Sequence, residues 1–381
     1  MPALLLALVV LTPGSPPLPP GPVCPPAAGR AGSLPAPAPP PFTMWVDERR
    51  HQVVIRVGPF PLPANPAPGE HGEGHEPMGH AHGLQLPTYR FKMPVSGWAR
   101  GFRLEILDPS GRPLDRRLLH HVTLNHLDRR GLTFPSFERF LAAGQETESV
   151  RLPKSVGVPM EAGAVMAMAS VWTNETETDL AGVVLLLSVE YLPRNLVPKP
   201  TTIHPILFDI GFRPGLTDGF DLDTGRTEFK REFVLPVDGR VLGLGGHLHD
   251  YGHSIELRDQ ETGKVLVTLK AELTPEGKLI RVNRRLFATW GEGLRLRAGR
   301  RYVVAAKYHN TSGKLLRLGA MAIMAGVFAP DRPDRWPTLD RSDPVYLAEC
   351  DGLGEIGWVD VPDSALGPPP SSLSLPFRVK R

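Results

Sequence analysis

Apolar positions along this chain fall in short runs rather than in helical stripes. Between residues 45 and 328 the β-branched and aromatic residues gather in segments of strand length, bounded by Gly, Pro, Asn or Asp. Segment 45–57 reads as a strand ending at Gly58-Pro59, and 102–107, 118–124, 165–172 and 183–191 read as further strands of one set. A second set follows at 206–210, 228–235, 240–248, 254–257, 265–271, 302–308 and 320–328. Turns such as Asp108-Pro109-Ser110-Gly111 and Val237-Asp238-Gly239 separate the runs. Segment 137–143 reads as the one helical turn, and 193–200 reads as a linker between the two sets. Many short strands with Gly/Pro turns predict an all-β protein of two tandem antiparallel jelly-roll-like β-sandwich domains. The boundaries expected are 44–195 for the first domain, with a His-rich loop at 71–82, and 201–331 for the second.

The flanks differ in composition. Residues 4–11 are apolar but too short to span a bilayer, and small residues follow near Ala27-Ala28. Residues 1–28 therefore read as a candidate signal peptide, and the chain as secreted or periplasmic. Residues 29–43 read as a Pro-rich linker and 332–381 as a C-terminal tail lying along the surface. The 43 basic and 40 acidic residues are dispersed and leave a net charge of +3, which gives no reason to expect nucleic acid as a partner. No transmembrane segment is expected. Of the two cysteines, Cys24 falls inside the stretch that signal cleavage would remove, so no internal disulfide is expected.

Against this β pattern the soft metal ligands stand out. His247-Leu248-His249 lies on an expected strand, where period-two alternation puts both imidazoles on one face. Glycines at 243, 245 and 246 leave room for a close approach. With the thioether of Met321 the set suits copper, Cu(I) above all. His120 and His121 are adjacent, so they share one metal only if the strand is locally distorted. His126, or His75, His80 and His82 of the 71–82 loop, are the candidates for a third imidazole there. Asp250 is a candidate to orient His249, and His309 reads as a turn residue near the second-domain site. Asn174 and Asn310 each match a glycosylation sequon, a pattern common by chance.

Motif order and ligand type give a resemblance. Leu118-Leu119-His120-His121-Val122, Leu152-Pro153-Lys154-Ser155-Val156-Gly157, Gly246-His247-Leu248-His249-Asp250-Tyr251-Gly252 and Gly319-Ala320-Met321 resemble the copper type II ascorbate-dependent monooxygenases. This is the family of peptidylglycine α-hydroxylating monooxygenase and dopamine β-monooxygenase, and the likeness covers residues 90 to 330. It implies one copper in each sandwich, facing one another across a solvent-filled cleft. The second-domain copper, on His247, His249 and Met321, would bind O₂ and attack a substrate C–H bond. The first-domain copper, on His120 and His121, would store an electron taken from ascorbate or a similar reductant. Two departures stand against the pattern. Trp172 aligns with the family's third histidine, which implies an incomplete first copper site and nearer one copper than two. Gly245, Ile323 and Ala325 replace the family's substrate-binding Arg, Asn and Tyr, so a peptidylglycine substrate is not implied. The expected function is a copper-dependent monooxygenase acting on a C–H bond of unknown substrate; the alternative is a non-catalytic copper-binding protein that keeps the fold. Oligomeric state is not legible.

Overall fold

The computed structural model describes residues 23–24, 38–64, 83–145, 147, 149–215, 219–287 and 293–368. The strands assemble into two sandwiches in tandem. In the first, one sheet runs in spatial order Phe42–Asp47, Gln52–Leu62, Leu180–Pro193, Gly97–Leu107, Val156–Met160, Thr201–Thr202. Its facing sheet runs Trp358–Asp360, Thr88–Lys92, Val165–Trp172, Leu119–Arg130, Phe137–Gly144. Alternation sorts the side chains: Val183, Leu185, Leu187 and Val189 of one sheet meet Met166, Met168 and Trp172 of the other in a single core. Ala169 and Val171, on the opposite face of the same strand, look outward into a cleft.

The second sandwich faces His204–Asp209, Ala322–Pro330, Gly239–Leu248 and Arg285–Leu286 against Gly225–Val234, Arg301–Asn310, Gly252–Asp259, Val265–Leu273 and Leu279–Val282. Its core is built from Phe208, Leu248, Ile255, Leu257, Val304 and Phe328, all 1% exposed or less. Burying each such side chain is worth about 1.5–3 kcal/mol. Among the described strands pairing is antiparallel, except that Trp358–Asp360 and Thr201–Thr202 add to their sheets in parallel.

The two sandwiches end a strand in the same way. Asn174 donates to the carbonyls of Leu62 and Thr178, while its side-chain oxygen accepts from the Thr176 backbone and hydroxyl. Asn310 repeats this with Leu222, Lys314 and Ser312. Both asparagines are buried, at 0% and 2% exposure. The two sequons are therefore structural turns whose amides are used inside the fold.

Four expectations change. Segment 45–57 is a hairpin, because Asp47 accepts from the Arg50 backbone and His51 takes a left-handed φ of 51°, folding Phe42–Asp47 onto Gln52–Leu62. Segment 137–143 is strand, not helix: Phe137–Gly144 pairs along Leu119–Arg130, and ladder hydrogen bonds override local propensity. The 332–381 tail is in part integral to the first sandwich. Asp343 caps the helix Pro344–Leu353 by accepting from the Val345 N–H at 2.8 Å, and Trp358–Asp360 then supplies an edge strand. Lastly, Cys24 and Cys350 form a disulfide that clips the N-terminal segment to that helix, so the expectation of no internal disulfide does not hold.

Candidate metal centre

The His120-His121 pair sits at the start of the strand Leu119–Arg130. Opposite it, Val171 pairs with His121 and Trp172 with Leu119, which leaves His120 as the extra residue of a β-bulge. A regular strand would send the two imidazoles to opposite faces; the bulge turns them together. Their Nδ1 atoms lie 2.9 Å apart and their rings 5.0 Å apart, centroid to centroid. Two imidazole nitrogens at that distance need either one proton or one cation between them. Ligands each about 2.0 Å from one ion, at roughly a right angle, lie about 2.8 Å from each other. The pair therefore fits a shared metal.

His247 is the penultimate residue of Gly239–Leu248, and His249 lies just beyond it. Leu248 between them is 1% exposed and in the core, whereas both histidines are half-buried and their rings meet edge to face at 5.4 Å. Across the gap between sandwiches, His249 approaches His120 with ring centroids 6.4 Å apart. The four imidazoles thus run in a row from one sandwich to the other: His121, His120, His249, His247.

Met321 occupies the break between Leu316–Ala320 and Ala322–Pro330 and is half-buried. It lines the same cleft as His120, His121 and His247, whereas Met324 is fully buried in the core. Tyr308, which no motif in the sequence marks, ties the His249 and Met321 segments together. Its hydroxyl donates to the Met321 carbonyl and also hydrogen-bonds the His249 backbone. Burial pushes its phenol well above the ordinary tyrosine value, so it stays protonated and able to donate. Tyr308→Phe should keep the fold and lower copper affinity about 10–100-fold, the usual range for partners that orient ligands; competition with a chelator reads this directly.

The cleft has a volume of about 1620 Å³. One wall is the outward face of Val165–Trp172 and Leu119–Arg130; the other is that of Gly239–Leu248 and Ala322–Pro330. Small and apolar residues dominate near the histidines, among them Ala169, Val171, Gly243, Gly245, Ile323 and Ala325. A Cβ at Gly245 would meet only the Arg284 side chain, at 3.8 Å, so the floor is open there and a guanidinium stem lies over it from the link between Leu279–Val282 and Arg285–Leu286.

At the far end of Leu119–Arg130 the sandwiches are joined again. Glu138 of the first is 1% exposed and takes Arg129 at 2.7 Å and His204 of the second sandwich at 2.9 Å. His204 stacks on Trp336 with centroids 3.9 Å apart. Burial alone raises the pKa of Glu138, but Arg129 and His204 outweigh it and hold the carboxylate at about 2.

Several residues that the sequence put forward as ligands or their partners are placed elsewhere. His126 is not a third ligand of the first pair. Five residues on from His121, about 16 Å along a strand, it is 5% exposed beside Glu138, with Glu161 at 3.5 Å. Trp172 does not face the histidines either. It is fully buried, meets Phe60 edge to face at 5.0 Å and donates its indole N–H to Ser170 at 2.9 Å. It precedes Asn174 as Tyr308 precedes Asn310, and like Tyr308 it points into a core. Trp172→His should cost about 3–5 kcal/mol, the range for emptying a large aromatic core position, without adding copper; unfolding curves and metal analysis check both. Asp250 does not orient His249. Its carboxylate accepts from the Leu279 N–H at 2.8 Å and pairs with Lys278 at 2.8 Å, pinning a turn. His309 is the penultimate residue of the strand Arg301–Asn310 rather than a turn residue, and its ring lies 6.1 Å from that of His253. His75, His80 and His82, with the rest of loop 71–82, lie outside the described residues; Gln85, shortly after the loop, pairs with Val171, the cross-strand partner of His121. Among the described residues, no three His, Cys, Asp or Glu side chains converge as the sole ligands of one ion. The arrangement consists of two imidazole pairs and a thioether.

No protein-family model matches the chain, and no curated protein matches it. Solved structures give distant likenesses. The STIV MCP is 10% identical at a TM-score of 0.34, over 70% of this chain and all of that one. PNGF-II is 12% identical at 0.33, over 73% of this chain and 66% of that one. A chain from the Sulfolobus Turreted Icosahedral Virus structure is 8% identical at 0.33, over 72% of this chain and 98% of that one.

Proposed function

We propose that this protein is a copper-dependent monooxygenase that hydroxylates a C–H bond, using O₂ and an external reductant such as ascorbate. The observation that carries the reading is the row of four imidazoles, with Met321, at one cleft between two sandwiches. His247, His249 and Met321 would hold one copper ion, and His120 and His121 would hold a second more weakly. Copper bound there supplies one-electron redox chemistry and an open position for O₂.

The chain's own residues do the rest. The thioether of Met321 favours the reduced ion, and the imidazoles serve both oxidation states. Tyr308 fixes the spacing between the His249 and Met321 segments by hydrogen bonds to both backbones. Gly245 keeps the floor low on the face of the strand that carries His247, so a substrate carbon can approach closely. Ile323, Ala325 and Val171 give the cleft an apolar lining against which a hydrocarbon part of a substrate can pack. The balance is one substrate C–H bond, O₂, two electrons and two protons converted to C–OH and water. The Cys24–Cys350 disulfide supports an oxidising compartment, in keeping with secretion or a periplasmic location in which any signal cleavage falls before Cys24 rather than near Ala27-Ala28.

The second reading is a non-catalytic copper protein. It is favoured by one observation: Trp172, which the resemblance aligns with the third ligand of the first site, lies in the core and donates its indole N–H to Ser170. Copper-loaded protein with ascorbate and a panel of apolar C–H substrates separates the two. Coupled O₂ consumption and hydroxylated product support the monooxygenase. Tight copper without product from any substrate, and without ascorbate-driven redox cycling, supports the second reading.

A further inference from the structure

We infer that the two histidine pairs form one metal cluster shared between the sandwiches, rather than two independent centres. The inference rests on the copper reading above and goes beyond it. His120 belongs to the first sandwich and His249 to the second, yet their rings lie 6.4 Å apart. That is little more than the 5.0 Å and 5.4 Å separations within each pair. No strand pairing joins Leu119–Arg130 to Gly239–Leu248. The approach is made by tertiary packing and by the bulge that swings His120 off the regular face of its strand.

The position of this contact gives it a consequence. The sandwiches are also tied by Arg129, Glu138 and His204, toward the other end of the same strand. The run from His120 to Arg129 is about 30 Å of strand. The cleft therefore lies between two ties, one an ion network and the other the imidazole row. Metal bound to both pairs makes the second tie ligand-dependent: occupancy fixes the cleft width near His247. Two paramagnetic ions, one on each side of the His120–His249 contact, must also sense each other magnetically.

The test is a Cu(II) titration of the full chain followed by electron paramagnetic resonance and metal analysis. At one equivalent, the spectrum should be that of an isolated ion with full intensity. At two equivalents bound, the signal per copper should broaden or lose most of its intensity, with a half-field transition. Two bound coppers that each keep a sharp, full-intensity signal would overturn the shared cluster and leave the copper reading standing. Retention of no more than one copper in excess Cu(II) would overturn the shared cluster, and failure to retain any copper would overturn both. His120→Ala, which leaves His247, His249 and Met321 in place, should bind one copper with an uncoupled signal. Coupling that persists in that variant would also overturn the inference.

Discussion

Glu138→Ala is expected to destabilise the protein by about 3–5 kcal/mol, because it removes one partner of a buried ion network and strands the others. Arg129 would keep only the Pro159 carbonyl, at 3.0 Å, and the outlying Glu161, at 3.6 Å. His204 would lose its 2.9 Å partner while still packed under Trp336. Since Glu138 and His204 lie on different sandwiches, the loss falls on the junction between domains as well as on the first core. The network also has a pH signature. The carboxylate sits at about 2 in the fold, below its ordinary 4.5. A depressed carboxylate contributes stability above its unfolded value and loses it as pH falls through the folded one. Wild-type stability should therefore decline between about pH 5 and pH 2 partly through this group, and the variant should show a flatter slope there. Urea unfolding across that range reads both effects. A variant within 1 kcal/mol of wild type at pH 7 would contradict this role for the network.

His247→Ala should lower copper affinity by more than about 100-fold, beyond the 10–100-fold effect of partners that only orient ligands. Leu248 between the two histidines is a core residue, so the backbone there stays anchored when the imidazole is removed. The fold should thus survive, with an unchanged unfolding curve in the absence of metal. Chelator competition with Cu(I) measures the affinity. Copper affinity equal to wild type in a folded His247→Ala protein would take this histidine out of the site.

The class of fold was written in the alternation of the chain. Val165–Trp172 was legible to the residue, and most other strands were legible in their cores, because buried β-branched runs between turn residues leave few alternatives. Phe137–Gly144 was misread because its composition suits a helix locally, and only its partner strand decides otherwise. The same blindness to distant partners hid the Cys24–Cys350 pairing and the return of Trp358–Asp360 to the first sandwich. At the site, the period-two argument put His247 and His249 on one side, and the need for a distortion at His120-His121 was visible from adjacency alone. What could not be seen was facing. Whether Trp172 looked at the cleft or at the core depended on the register of a bulge, and it looks at the core. His126 and Asp250 were near the histidines in sequence, but each is taken up by a charged partner off the site. Tyr308 carried a weak signal at most: its place two residues before Asn310 repeats that of Trp172 before Asn174.

The central claim, that His247, His249 and Met321 gather around one copper ion, is tested most directly by X-ray absorption of the singly loaded, reduced protein. Imidazole scattering together with one sulfur neighbour, and loss of that sulfur in Met321→Leu with the imidazoles retained, is the result expected. Imidazole ligation with no sulfur, or a sulfur that persists in Met321→Leu, would contradict it.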